Sequence, residues 1–223
     1  MPDGQYSFYL HSDDRTDIAA MATISTISQP LRGEFIRTAA TAGAVVYQVD
    51  ARLPALIPVF FAGQLSAVRL CAVMALVSGT WSSLTGLPDE PENGGAALPV
   101  SPETEYQRRR YTLTLQNGRS GERVESVLTE ASSRLRGDLL RNLIITGLAL
   151  HTTAPELPRL LASMPVPPTS VSELQALVQQ MAGTADVNRA AAAVPDTPAT
   201  SAVPVSGPDT REIKKNMRRA FGD

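Results

Sequence analysis

Two runs of alternating polarity stand about a hundred residues apart. In Tyr6-Ser7-Phe8-Tyr9-Leu10 the apolar residues Tyr6, Phe8 and Leu10 fall at every second position. Tyr111-Thr112-Leu113-Thr114-Leu115 repeats the pattern 105 residues later. A period of two predicts a short half-buried strand in each place. The period then lengthens. Asp13, Asp14 and Thr16 suit the start of a helix, because their side chains accept bonds from its unpaired first N–H groups, and that helix is predicted to end near Ile27. In the second half Val124, Val127, Leu128 and Ala131 recur at i, i+3, i+4 and i+7, the spacing of one buried helical stripe.

Ser28, and later Ser132 and Ser133, precede the heptapeptides Leu31–Arg37 (LRGEFIR) and Leu135–Arg141 (LRGDLLR), which lie 104 residues apart and agree at Leu, Arg, Gly and the final Arg. Each is predicted to start a longer second helix, running through Gly43 in the first half and Gly147 in the second. A glycine inside a helix costs about 1 kcal/mol relative to alanine, so its recurrence at one offset predicts a close helix crossing. Leu53-Pro54 and Leu157-Pro158 open a third helix in each half, and Ser78-Gly79 matches Ala182-Gly183 at the predicted end of each unit. The register holds for more than seventy positions with one residue lost between strand and second helix; the chain is one unit written twice. The predicted organisation is a first repeat over 1–86, an acidic Pro/Gly-rich linker over 87–107, a second repeat over 108–183, a disordered linker over 184–209 and a basic amphipathic tail over 210–223.

Composition narrows the chemistry. Aromatic residues make up 5% of the chain, which suits small helical cores better than a sandwich or barrel. The one cysteine, Cys71, has no partner for a disulfide or a metal site and sits among Leu70, Val73 and Met74, so an inert core position in a reducing cytoplasm is expected. The net charge of −2 is unevenly spread: −1 over 1–79, −5 over 80–107, +3 over 108–183 and +1 over 184–223. An acidic linker therefore masks a basic second unit. The apolar stretch Leu53–Gly79 is interrupted by Pro54, Pro58 and Arg69 and leaves no clean run of about 18 residues, so no membrane span is expected; nor is a signal peptide. His11 and His151 have no nucleophile beside them in sequence, helix-start placement accounts for Asp13, Asp14 and Asp17, and there is no Walker-type glycine loop. No catalysis, metal or cofactor is expected.

A strand of five residues cannot pair with itself. Two units about a two-fold axis solve this by pairing their strands into an antiparallel ribbon over four helices, with one ribbon face exposed. Such a ribbon fits the DNA major groove and reads base edges. Alternation assigns the outward positions to Gln5, Ser7 and Tyr9 in the first unit and Arg110, Thr112 and Thr114 in the second. Arg110 suits guanine, and the threonines offer a hydroxyl or a methyl. The starts of the long helices would flank the ribbon, where free N–H groups suit a phosphate, Gly33 and Gly137 permit close approach, and Arg32, Ser133, Arg134 and Arg136 add donors and charge. The same residues also fit the ordinary start of a solvated helix. At the C-terminus Ile213, Met217 and Phe221 recur every four residues beside Lys214, Lys215, Arg218 and Arg219. The segment is too short to be a stable helix alone and is expected either to fold on a partner or to be a frayed end.

The order of short strand, helix, a helix carrying Arg37-Thr-Ala-Ala-Thr-Ala-Gly43 or Arg141-Asn-Leu-Ile-Ile-Thr-Gly147, then a Leu-Pro helix, resembles the ParR/StbB-type plasmid partition adaptors. The ending Lys214-Lys215-Asn216-Met217-Arg218-Arg219 is similar to the tail by which those adaptors engage an actin-like partition ATPase. The resemblance covers roughly residues 5–79, 108–183 and 211–221. It implies a mainly α fold of tandem ribbon-helix-helix units, each a short strand plus four to five helices, forming a pseudo-two-fold dimer. It also implies a cytoplasmic, plasmid-associated bacterial protein that binds centromere-like repeats in double-stranded DNA, self-associates there, captures an actin-like filament through its tail, and represses its own operon. The family has one unit per chain, so pairing within or between chains stays open. The second unit carries most of the Arg and is expected to supply more of the DNA affinity. The alternatives are an antitoxin-like protein, whose tail would neutralise a toxin enzyme, and a stand-alone transcriptional repressor.

Overall fold

Strand β1 (Gln5–His11) leads into helix α1 (Arg15–Ser25), a 3-10 turn (Gln29–Leu31), α2 (Arg32–Val49), α3 (Leu53–Phe60) and α4 (Ala67–Ser78). The second repeat follows the same order: β2 (Arg108–Thr114), α5 (Arg119–Glu130), α6 (Arg136–Thr153), α7 (Leu157–Ser163) and α8 (Val171–Ala192). The computed structural model describes residues 4–80 and 107–192, with side chains as far as Gly183. Most of the predicted linkers and the whole of the predicted tail lie outside the described residues. Several boundaries differ from expectation. Both strands begin earlier than alternation alone suggested, because each residue added at one end gains a partner on the other strand. Helix α8 continues to Ala192, past the Gly183 at which the second unit was expected to end. Gly79, by contrast, does stop α4, in the left-handed conformation at φ +71 that glycine adopts without a Cβ penalty.

The two strands pair antiparallel within the chain, from Gln5 opposite Thr114 to His11 opposite Arg108. Phe8, Leu10, Leu113 and Leu115 turn inward and are buried, and the Phe8 and Tyr111 rings stack at 5.3 Å. Beneath the ribbon α2 crosses α6 at the two paired glycines. A Cβ on Gly43 would lie 2.0 Å from the Leu143 carbonyl oxygen, and one on Gly147 would lie 2.2 Å from that of Ala39. Because Ala39 and Leu143 are themselves equivalent positions, the crossing obeys the repeat symmetry. Residues 39–46 and 143–150 are buried throughout. Both repeats belong to one compact unit reaching Arg189.

Smaller contacts obey the symmetry too. Thr16 Oγ1 donates to the Pro58 carbonyl at 3.1 Å, tying α1 to α3, and Ser120 Oγ donates to the Ala162 carbonyl at 3.3 Å, tying α5 to α7. A buried ion pair does not obey the symmetry. Asp17, fully buried, receives Arg141 Nε at 2.7 Å and the His11 N–H at 2.9 Å, while Arg141 Nη2 also lies 3.3 Å from Asp14. Asp14 caps α1 by accepting the Asp17 N–H. Asp17 is therefore more than a helix-start residue: it joins α1 of the first repeat to α6 of the second. The counterparts of Asp14 and Asp17, 104 positions on, are Gly118 and Gly121, which have no side chain to pair, and among the described residues no ion pair repeats this one on the other side.

Candidate functional site

Alternation along the paired strands puts the inward side chains in the core and leaves the other face open. That open face carries Gln5, Ser7, Tyr9 and His11 from β1 and Arg108, Arg110, Thr112 and Thr114 from β2. All six residues read from alternation as outward are on it. His11 and Arg108 were missed, although they have the same parity; five-residue strands were too short to include them.

Two of the cations are held in place. The Arg108 guanidinium lies over the Tyr9 ring, 3.8 Å from its centroid, within cation–π range. Arg110 donates from Nε and Nη2 to Ser7 Oγ at 3.2 and 2.9 Å, a bond that crosses the ribbon diagonally and leaves the rest of the guanidinium fork for another acceptor. Ser7 is thus a positioning residue for Arg110 as well as an outward position of its own.

The starts of α2 and α6 lie beside the strand of the opposite repeat. A Cβ on Gly137 would sit 3.4 Å from the Ser7 carbonyl oxygen, so this glycine packs against β1; a Cβ on Gly33 would meet only Arg37 Nη1, at 3.7 Å. Burial pushes the phenols of Tyr6 and Tyr111 above their usual range, while the charge of Arg136 pulls Tyr6 down and that of Arg109, with Arg32, pulls Tyr111 down. Each helix-start arginine is therefore near enough to a tyrosine of the other repeat's strand for its charge to act there. Both also serve the fold: Arg32 Nε donates to the Ile27 carbonyl at 2.7 Å and Nη2 to Ser25 at 3.2 Å, and Arg136 Nε donates to the Ala131 carbonyl at 3.2 Å. Ser133 and Arg134 are exposed in the turn before α6.

At the end of β1, His11 lines a shallow recess with Asp13, Asp14, Asp17, Asp138, Arg141 and Asn142. Among the described residues no group of three or more His, Cys, Asp or Glu is placed to hold a metal ion, and no helix is long and apolar enough to cross a membrane. His151 is held by its Nδ1 contact with the Pro155 carbonyl at 3.1 Å and by an edge contact with Phe35. The predicted tail residues Ile213, Lys214, Lys215, Met217, Arg218, Arg219 and Phe221 lie outside the described residues.

No curated protein and no solved structure matches the chain. The family described as plasmid stability protein matches it twice, over residues 4–74 and 109–178, once for each repeat.

Proposed function

Since the chain belongs to the plasmid stability protein family, with two family units in tandem and hence a role in plasmid maintenance, we propose that it is a DNA-binding adaptor for plasmid partition. The observation that carries this reading is the ribbon assembled within one chain, whose open face holds Tyr9, Arg108, Arg110, Thr112 and Thr114 above two helix starts. An antiparallel ribbon fits the major groove. In this reading Arg110, steadied by Ser7, addresses guanine O6 and N7, while Gln5, Ser7, Tyr9, Thr112 and Thr114 contact neighbouring base edges. The starts of α2 and α6 take the flanking phosphates through Gly33 and Gly137, Ser133, Arg134, and the guanidinium nitrogens of Arg32 and Arg136 that the local carbonyls leave open.

The adaptor part of the reading rests on the tail sequence, where an apolar stripe at Ile213, Met217 and Phe221 runs beside four basic residues. Folded on an actin-like partition ATPase, that stripe would couple bound DNA to a filament. Binding near its own promoter would also repress the operon.

A gel shift on DNA flanking its own operon tests the DNA-binding part. Discrete complexes that resist unrelated competitor DNA at physiological salt are expected. Weak binding indifferent to sequence, lost as salt rises, would reflect phosphate contact alone and would sink the reading.

A further inference from the structure

The register opposes Ser7 with Thr112, which is its own counterpart 105 residues on. The pseudo-two-fold axis therefore passes between these two residues, and the outward side chains on either side of it can be compared. On one side Gln5 stands opposite Thr114; on the other, Tyr9 stands opposite Arg110 and His11 opposite Arg108. A ribbon of two identical strands would present the same groups on both sides. Here the position occupied by Gln5 on one side is occupied by Arg110 on the other, and that of Thr114 by Tyr9.

The difference is chemical as well as steric. One end of the ribbon is cationic and internally organised, with Arg108 over the Tyr9 ring and Arg110 bonded to Ser7. The other end offers a neutral amide and a hydroxyl. Arginine pairs bidentately with the O6 and N7 acceptors of guanine, whereas the glutamine amide pairs with N6 and N7 of adenine. The two sides of the axis therefore prefer different bases at symmetry-related positions.

We propose that this chain recognises a non-palindromic DNA site, with guanine opposite Arg110 and adenine opposite Gln5 at the position related to it by the two-fold axis, so that the chain binds in one orientation only. The inference rests on the DNA-binding reading above and deepens it. Fusing two units into one chain is what makes this possible, since each strand is free to differ from the other. On tandem copies of such a site, successive chains would all face the same way.

The test is selection from a randomised duplex library by the full chain, by Gln5→Arg and by Arg110→Gln. Both positions are exposed on the ribbon, and circular dichroism verifies that each variant is folded. The wild type is expected to select a site without dyad symmetry, and exchanging its guanine for another base should weaken binding about tenfold or more. Gln5→Arg should bring guanine to both related positions and make the site palindromic at those two; Arg110→Gln should bring adenine to both. A palindromic site selected by the wild type would overturn the inference while leaving the DNA-binding reading intact. An asymmetric site that neither substitution alters would overturn the assignment to Gln5 and Arg110. If no sequence is enriched over the starting library, the DNA-binding reading fails and the inference with it.

Discussion

Replacing Gly43 by alanine inverts the ordinary rule for helix glycines and so tests the crossing of α2 and α6 directly. In an exposed helix the substitution gains about 1 kcal/mol, because alanine loses less backbone freedom on folding. At Gly43 the added methyl would lie 2.0 Å from the Leu143 carbonyl oxygen, 2.6 Å from its carbonyl carbon and 2.8 Å from its Cα. All three obstacles are backbone, so no side chain can rotate away; the helices must part by about 1 Å or more in a core packed to crystal density. Overpacking of this kind costs about 1–3 kcal/mol or more, and a rigid backbone neighbour places Gly43 at the upper end. With the propensity gain subtracted, a net loss of about 2 kcal/mol is expected. For a folded unit of this size that lowers Tm by roughly 4–8 °C. Urea unfolding followed by far-ultraviolet circular dichroism measures it, with Gly33→Ala as the control, since there the methyl would meet only the flexible end of Arg37 at 3.7 Å. Gly147→Ala should behave like Gly43→Ala, and the double variant should lose less than the sum, because helices already parted for one methyl accommodate the second more easily. A Gly43→Ala protein as stable as the wild type, or more so, would refute the crossing.

The Asp17–Arg141 pair sets up a pH-dependent test. Burial pushes the Asp17 carboxyl above the usual range, against the downward pull of the His11 N–H and Arg141; removing Arg141 leaves burial less opposed. A folded pKa raised above the unfolded value contributes stability that is present at low pH and lost as pH rises through the folded value. Arg141→Met should therefore fall behind the wild type by about 3–5 kcal/mol at neutral pH and by clearly less near the acid end of the folded range. A deficit in urea unfolding that is the same at both ends would contradict the sign. Arg110→Ala and Thr114→Ala should each weaken specific DNA binding by about 1–3 kcal/mol with unfolding unchanged; equal loss on specific and random DNA would remove the base-reading role. Deleting residues 211–223 should leave DNA binding intact and abolish co-sedimentation with actin-like filaments, and persistent co-sedimentation would take the tail out of the mechanism. Cys71 is buried, and that burial pushes its thiol pKa up, so it should resist alkylation until the protein unfolds; rapid labelling of the native chain would place it elsewhere.

Most of the fold was legible because its elements are local and occur twice. The change of period from two to nearly four separates strand from helix, and the recurrence of a mid-helix glycine at Gly43 and Gly147 is enough to predict a close crossing. Element ends were less legible. Strand length depends on the partner strand, which is why Arg108 and His11 escaped notice, and Gly183 has the composition of a helix stop without acting as one. The roles of Arg32 and Arg136 were half legible: their position at helix starts is written in the heptapeptides, but the carbonyls of Ile27 and Ala131 that engage them come within reach only once the preceding turn has folded.

By itself the sequence determined the duplication, the order of elements and which side chains alternate outward, because each follows from spacing along a short stretch of chain. Only the tertiary structure decided that the two strands pair within one chain, that their register sets Ser7 against Thr112, and that Arg141 neutralises Asp17 across 124 positions. Those facts depend on which surfaces meet when the two repeats bury their apolar faces together, and no local pattern records the partner. The lopsided face of the ribbon belongs to both levels: its residues are plain in the sequence, and which of them stand opposite one another follows from the pairing.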